Sequence, residues 1–291
     1  MDLRDDGVRS TFRTIAILTL IPVAGLLAFL LWNWLSPRLP SSPRGEGQGE
    51  PQVASAPPVL ETALPPVRPK RRRGRGEIVL IIDDLGFEGQ PLERVMSLDP
   101  NVNCAILPNA ESAAAFAEKL NARGFEILCH LPMEPRGTEL PGRNAILTSM
   151  SDDEIARTTR ENVRAVPHAR GVNNHMGSLA TTDRRVMSSV IGALPEGMYF
   201  IDSRTAGGSI AGEVAREMHV RTATRHVFLD DVPTEYSVRK QLEMLADTAE
   251  RRGIAVGIGH PRPATMRVLA EELPELRARG FRLVRASEVV R

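Results

Sequence analysis

The chain has 291 residues, 42% of them apolar and 25% charged, which is room for one domain of about 200 residues plus appendages. A formal net charge of +1 provides no global field to gather nucleic acid, and none is expected as a partner. There is no Walker-type phosphate loop and no Gly-x-Ser-x-Gly elbow, which sets aside nucleotide hydrolysis and serine hydrolysis of those types.

Residues 1–13 read as a short cytoplasmic N-terminus. Residues 14–37 carry no charge between Arg13 and Arg38, long enough to cross a bilayer as a helix, with Trp32 and Trp34 near the outer end as interfacial anchors. A cleaved signal would have a shorter apolar core and a small-x-small site, whereas Ser-Pro-Arg-Leu-Pro follows Leu35. Arg4, Arg9 and Arg13 precede the span, and only Arg38 and Arg44 closely follow it. The expectation is therefore a single-pass inner-membrane protein with its remaining chain in the periplasm. Residues 38–76 form a Pro-rich, basic linker too poor in large apolar residues to fold. It ends in Arg68-Pro-Lys-Arg-Arg-Arg-Gly-Arg-Gly, read first as a solvated charge block at the domain boundary and second as a run that touches anionic phosphate on lipid headgroups or another anionic polymer.

From residue 77 to 291 short apolar runs alternate with amphipathic stretches, the pattern of an α/β domain with mostly parallel strands. Ile-Val-Leu-Ile-Ile-Asp-Asp-Leu-Gly at 78–86 reads as a strand buried on both faces and ending in two carboxylates. Strand alternation sends Asp83 and Asp84 to opposite sides. Helices are expected at 89–97 and 112–123, the second stopped by Gly124, and strands at 102–107 and 125–129. Cys104 and Cys129 fall inside those strands as buried thiols, with no disulfide indicated.

His130-Leu-Pro-Met-Glu-Pro follows, then a patternless loop to residue 150. Ser151-Asp-Asp-Glu is a capping box that opens a helix over 152–166. Gly171-Val-Asn-Asn-His-Met-Gly-Ser comes next, then a helix at 183–194 and a strand at 198–201 ending in Asp202-Ser-Arg-Thr. A helix over 212–218 and a strand at 227–229 follow, the strand closing on Asp230 and Asp231, which read as a turn. A long helix at 235–252 is stopped by Gly253. The strand at 254–258 meets Gly-His-Pro, and a last helix and strand cover 264–284. About seven strand–helix steps predict a closed or nearly closed barrel.

Asp83, Asp84, His130, Glu134, His175, Asp202, Arg204 and His260 each lie at or just past the carboxyl end of an expected strand, where such folds place chemistry. A zinc-type site takes three protein ligands and leaves a position for water. Asp84 and His130 are the first two. The third is either Glu134, in reach if the chain turns helically after His130, or His175 from a separate strand. Asp83 is then placed to accept a proton and His260 to give one. Asp202 and Arg204 are candidates to orient the base or the acid. Asn173, Asn174 and the amides beside Gly177 are candidates to hold a sugar or an oxyanion. His168, His219 and His226 have no strand-end context and read as packing or surface histidines.

In this order, Ile-Ile-Asp-Asp-Leu-Gly, His-Leu-Pro-Met-Glu-Pro, Gly-Val-Asn-Asn-His-Met-Gly-Ser, Asp-Ser-Arg-Thr and Gly-His-Pro, the chain resembles the divergent polysaccharide deacetylase family over about residues 77–291. That family is a distant branch of the metal-dependent polysaccharide deacetylases. The resemblance implies a distorted (β/α) barrel, a divalent metal expected to be zinc, and removal of N- or O-acetyl groups from an envelope or peptidoglycan-type glycan. The better-known members carry Thr-Phe-Asp-Asp-Gly, with the base first and the metal ligand second, similar to Asp83 and Asp84. Their His-x-x-x-His pair falls on His130 and Glu134, so a glutamate replaces the second histidine, and His175 is available to compensate. Their Arg-x-Pro-x-Gly motif falls on Asn173 to Gly177 without the arginine, and their late histidine is similar to His260. The expectation is a membrane-anchored carbohydrate deacetylase; the competing one is a glycan-binding or envelope-organising protein on the same barrel without turnover.

Overall fold

The computed structural model describes residues 75–291. The expected N-terminus, anchor and nearly all of the linker lie outside the described residues. Among the described residues no helix is long and apolar enough to cross a membrane.

The elements run β1 (Gly76–Leu85), α1 (Leu92–Met96), β2 (Asn103–Ile106), α2 (Ala113–Ala122), β3 (Glu126–Met133), α3 (Asp152–Arg164), β4 (Ala169–Met176), α4 (Arg184–Gly192) and β5 (Tyr199–Asp202). They continue with α5 (Ala211–Glu217), β6 (Thr222–Thr224), β7 (Val227–Phe228), α6 (Glu235–Arg252), β8 (Ile254–Gly259), α7 (Pro263–Ala278) and β9 (Phe281–Leu283). All nine strands join one parallel sheet in the order β6-β5-β4-β3-β2-β1-β8-β7, with β9 alongside the first residues of β1. Edge strands β6 and β7 are consecutive in the chain and separated only by Arg225 and His226, a link that spans roughly 10 Å at most. The sheet must therefore curl until its edges meet, giving the distorted barrel.

Among the described residues nine strands stand where about seven were expected. The added β6 is three residues long, Thr-Ala-Thr, too short to leave a periodic signal. Residues 171–176 of the Gly-Val-Asn-Asn-His-Met-Gly-Ser segment belong to β4; its Asn-Asn-His hides the strand because polar side chains replace apolar ones on the interior face. The capping box at Ser151 is formed, with the Ser151 amide donating to Glu154 Oε2 at 2.8 Å, and α3 starts where it dictates. Gly253, at φ +84°, ends α6 in the left-handed conformation that favours glycine.

Strand alternation divides the core in two. Ile78, Leu80 and Ile82 face the helices, whereas Val79 and Ile81 face the barrel interior with Ala105, Leu128, Tyr199, Ile201, Val256 and Ile258. Each fully buried aliphatic side chain contributes about 1.5–3 kcal/mol. Gly171 is required in this layer: a Cβ there would stand 2.3 Å from the Tyr199 ring. The lower end is plugged by Ala286 and Val290 and by the buried Glu126, which accepts from Tyr199 Oη at 2.6 Å and from the Ser287 amide at 2.8 Å.

Candidate active site

The interior side chains become polar as the strands approach their carboxyl ends, without a change of parity. Asp83 follows Val79 and Ile81, His130 follows Leu128, Asn173 follows Gly171, Ser203 follows Tyr199 and Ile201, and His260 follows Val256 and Ile258. The site is thus the uppermost layer of the barrel interior. Asp83, His130, Asn173 and Ser203 are buried in it, supported from below by the apolar layer.

Asp84 breaks the parity, and the expectation that Asp83 and Asp84 face opposite sides is corrected here. The strand register slips between Ile82 and Leu85, and Asp84 takes φ +58°, which swings its carboxylate back over the same opening. Gln90 holds the irregular turn, its Nε2 donating to the Asp84 carbonyl at 2.6 Å and its Oε1 accepting from the Gly86 and Phe87 amides at 2.9 and 3.0 Å. A left-handed backbone outside glycine costs on the order of 1 kcal/mol and persists where the surroundings enforce it.

Three lone-pair atoms from three strands converge. Asp84 Oδ1 lies 3.2 Å from His130 Nε2 and 2.9 Å from His175 Nδ1, and those nitrogens are 3.2 Å apart. Asn173 fixes the His130 tautomer: its Nδ2 donates to Asp83 Oδ1 at 2.8 Å, so its Oδ1 accepts from His130 Nδ1 at 3.0 Å, which leaves the unprotonated Nε2 of the neutral ring with its lone pair toward Asp84. Asp84 Oδ1 is buried and accepts no hydrogen bond. Ligands about 2.0 Å from a tetrahedral ion stand roughly 3.3 Å apart, close to these separations, and one carboxylate with two imidazoles is a donor set suited to zinc. The residues present therefore fit a divalent cation.

The electrostatics agree with that fit. Burial pushes the Asp84 carboxyl up, but the His130 and His175 imidazoles outweigh it and hold the group well below the usual carboxylate range. Burial pulls His130 down, yet the Asp83 and Asp84 carboxylates carry it up to about 9. Asp83 is pushed up, by burial first, with His130 and His260 opposing. Such a layer requires positive charge, supplied by imidazolium when no cation brings it.

His260 enters from β8 on the other side, its Nε2 3.5 Å from Asp84 Oδ2. Its Nδ1 donates to Asp230 Oδ1 at 2.9 Å, and Asp230 Oδ2 accepts from the His260 amide at 2.8 Å and from Thr265 Oγ1 at 2.7 Å. Burial lowers His260, but the bond to Asp230 and the charges of Asp83 and Asp84 raise it overall. Asp230, read from sequence as a turn residue, is fully buried and orients the histidine. Its signal was available: it lies two positions past Phe228, the interior residue of β7.

Three of the other candidates, Glu134, Asp202 and Asn174, are engaged elsewhere. The helical turn that would bring Glu134 into reach is not formed: the chain stays extended to Met133, and Glu134 Oε2 accepts from the Thr148 amide and hydroxyl, both at 2.6 Å, pinning the loop at 134–148. Asp202 accepts from the Arg204 amide at 2.8 Å and from Ser209 Oγ at 2.9 Å; it forms no ion pair with the Arg204 side chain. Both Asn174 amide atoms are used internally, Oδ1 accepting from the Ser203 amide at 2.8 Å and Nδ2 donating to the Met176 carbonyl at 2.7 Å. Gly177, at φ +84°, has its carbonyl bonded by Thr181 Oγ1 at 2.7 Å. A groove of about 540 Å³ opens beside Asp84 and His175, lined by Phe87, Leu107, Pro132 and Leu140, with Arg143 on its rim.

A family model described as "Divergent polysaccharide deacetylase" matches residues 80–290. The chain is 38% identical over 216 residues to the uncharacterized protein YibQ of Escherichia coli (strain K12), covering 74% of this chain and 67% of that one. It is 34% identical over 203 residues to an uncharacterized protein of Haemophilus influenzae, covering 69% and 72%. The crystal structure of the uncharacterized protein ATU2773 from Agrobacterium tumefaciens C58 shares the fold at TM-score 0.72 and 22% identity, covering 75% of this chain and 90% of that one.

Proposed function

Since the chain belongs to the divergent polysaccharide deacetylase family, we propose that it is a metal-dependent carbohydrate deacetylase that hydrolyses N- or O-acetyl groups on an envelope glycan. The observation that carries this reading is the convergence of Asp84 Oδ1, His130 Nε2 and His175 Nδ1, with no hydrogen bond accepted by that buried oxygen. These three residues would hold a divalent cation, zinc by the donor set. When bound, such a cation would polarise the acetyl carbonyl and acidify water. Asp83, its carboxyl raised by burial, accepts the proton of the attacking water. His260, whose hold on a proton Asp230 strengthens, gives a proton to the departing sugar nitrogen or oxygen, so that acetate and a free amine or hydroxyl result. Asn173 fixes both Asp83 and His130, and the apolar groove past Phe87 and Leu140 suits a sugar face and an acetyl methyl.

The uncharged segment at 14–37, with three arginines before it, supports anchoring in the inner membrane with the catalytic domain in the periplasm. Alkaline-phosphatase fusions placed after residue 37 test this, and inactive fusions would reverse the orientation.

The deciding experiment measures acetate released from acetylated chitooligosaccharide and peptidoglycan fragments by the zinc-loaded full-length protein, with Asp83→Asn as the inactive control. A second reading, glycan binding without turnover, is favoured by Asn173, which stands where the better-known deacetylases carry arginine. Zinc retention with glycan binding but no acetate would select it.

A further inference from the structure

Successive strands of the barrel are joined through a helix everywhere except between β6 and β7, where Arg225 and His226 are the whole connection. The seam lacks the helix that covers the other strand junctions. A depression of about 350 Å³ lies there, lined by Arg204, Arg225, His226, Arg251, Arg252 and Thr248 among others, none of them acidic. None of the four arginines pairs with a carboxylate among the described residues, whereas Arg184, Arg239 and Arg279 elsewhere on the surface do.

The pocket is built as well as charged. Arg225 is fixed by Nε donating to the Ser203 carbonyl at 2.5 Å and Nη2 to the Arg204 carbonyl at 2.9 Å, and it stacks 4.8 Å over the Phe228 ring. Arg251 Nη2 donates to Thr248 Oγ1 at 3.2 Å. His226 Nδ1 accepts from the Val256 amide at 3.0 Å, which leaves Nε2 as the donor nitrogen. Guanidinium groups drawn together without acids repel one another, and their planar forks match the oxygens of a tetrahedral oxyanion. A single carboxylate would leave most of this charge uncompensated.

We propose that the seam pocket is a binding site for a phosphate group. The same chemistry is offered by inorganic phosphate, by a phosphorylated sugar and by a lipid headgroup. None of the acetyl-hydrolysing residues lines the pocket, and the proposal does not depend on that reading. It also gives a place to Arg204, which the sequence had offered for catalysis.

Calorimetry on the full-length protein with pyrophosphate tests it. Saturable binding is expected, and the Arg251→Ala/Arg252→Ala variant, altered at two exposed positions, should weaken it about tenfold or more, about 1.4 kcal/mol. Arg94→Ala/Arg123→Ala removes the same charge from exposed positions in α1 and just past α2 and should leave it unchanged. Glucosamine 6-phosphate binding more tightly than glycerol 3-phosphate would assign the phosphate to a glycan, and the reverse order to a lipid headgroup. No saturable binding up to about 10 mM, or equal losses in the two double variants, would overturn the proposal.

Discussion

His260 and Asp230 are joined twice, by the imidazole Nδ1 to Oδ1 at 2.9 Å and by the His260 backbone amide to Oδ2 at 2.8 Å, so one carboxylate sets both the ring and the chain that carries it. Asp230→Asn should lower acetate release on the order of 10²-fold. The sign of its pH effect follows from charge: Asp230 raises His260, and a proton donor works below its own pKa. Losing that charge moves the alkaline limb of the rate profile to lower pH. An unshifted limb in the variant would show that Asp230 acts only as a structural support.

Glu134 and His175 are separated by their partners. His175→Ala should reduce bound zinc well below one per chain, read by elemental analysis. Glu134→Gln should leave zinc unchanged and increase hydrogen exchange across residues 134–148, whose anchor to Thr148 it weakens. Loss of zinc from the Glu134 variant would return the glutamate to the ligand set.

Gly171→Ala tests the packing beneath the site. The added Cβ meets the Tyr199 ring, and that ring is held by Glu126. Overpacking at such a point costs about 1–3 kcal/mol, measurable by urea unfolding. A variant as stable as the parent would mean that the layer can shift.

Cys104 and Cys129 are fully buried, and burial pushes both thiols far above their ordinary value. Thiolate is the reactive form, so iodoacetamide at pH 8 should label neither in the folded protein and both after denaturation. Labelling of the native protein would indicate that β2 and β3 open.

Much of this was legible because strand parity is simple. Once Val79 and Ile81 face inward, Asp83 must also, and the same count places His130, His260 and the overlooked Asp230. Two features were not legible. Asp84 joins the site through a left-handed residue held by Gln90, six positions away, a conformation no local pattern signals. Glu134 matched a metal-ligand spacing that assumes a helical turn, but Pro132 and Met133 continue the parallel pairing with β4 and keep the chain extended.

The central strand β1 pairs with β2 on one side and β8 on the other, and Gly76 to Ile78 also pair with Phe281 to Leu283. Its full set of partners is therefore complete only after some two hundred further residues have been synthesised. Closing loops of that length is slow, and until then an apolar ribbon suited to burial on both faces has an open edge. Most of that edge is covered by β8 and only its first three residues by β9, so productive folding depends on late strands, and a ribosome stalled before residue 254 holds a chain prone to pair with its neighbours.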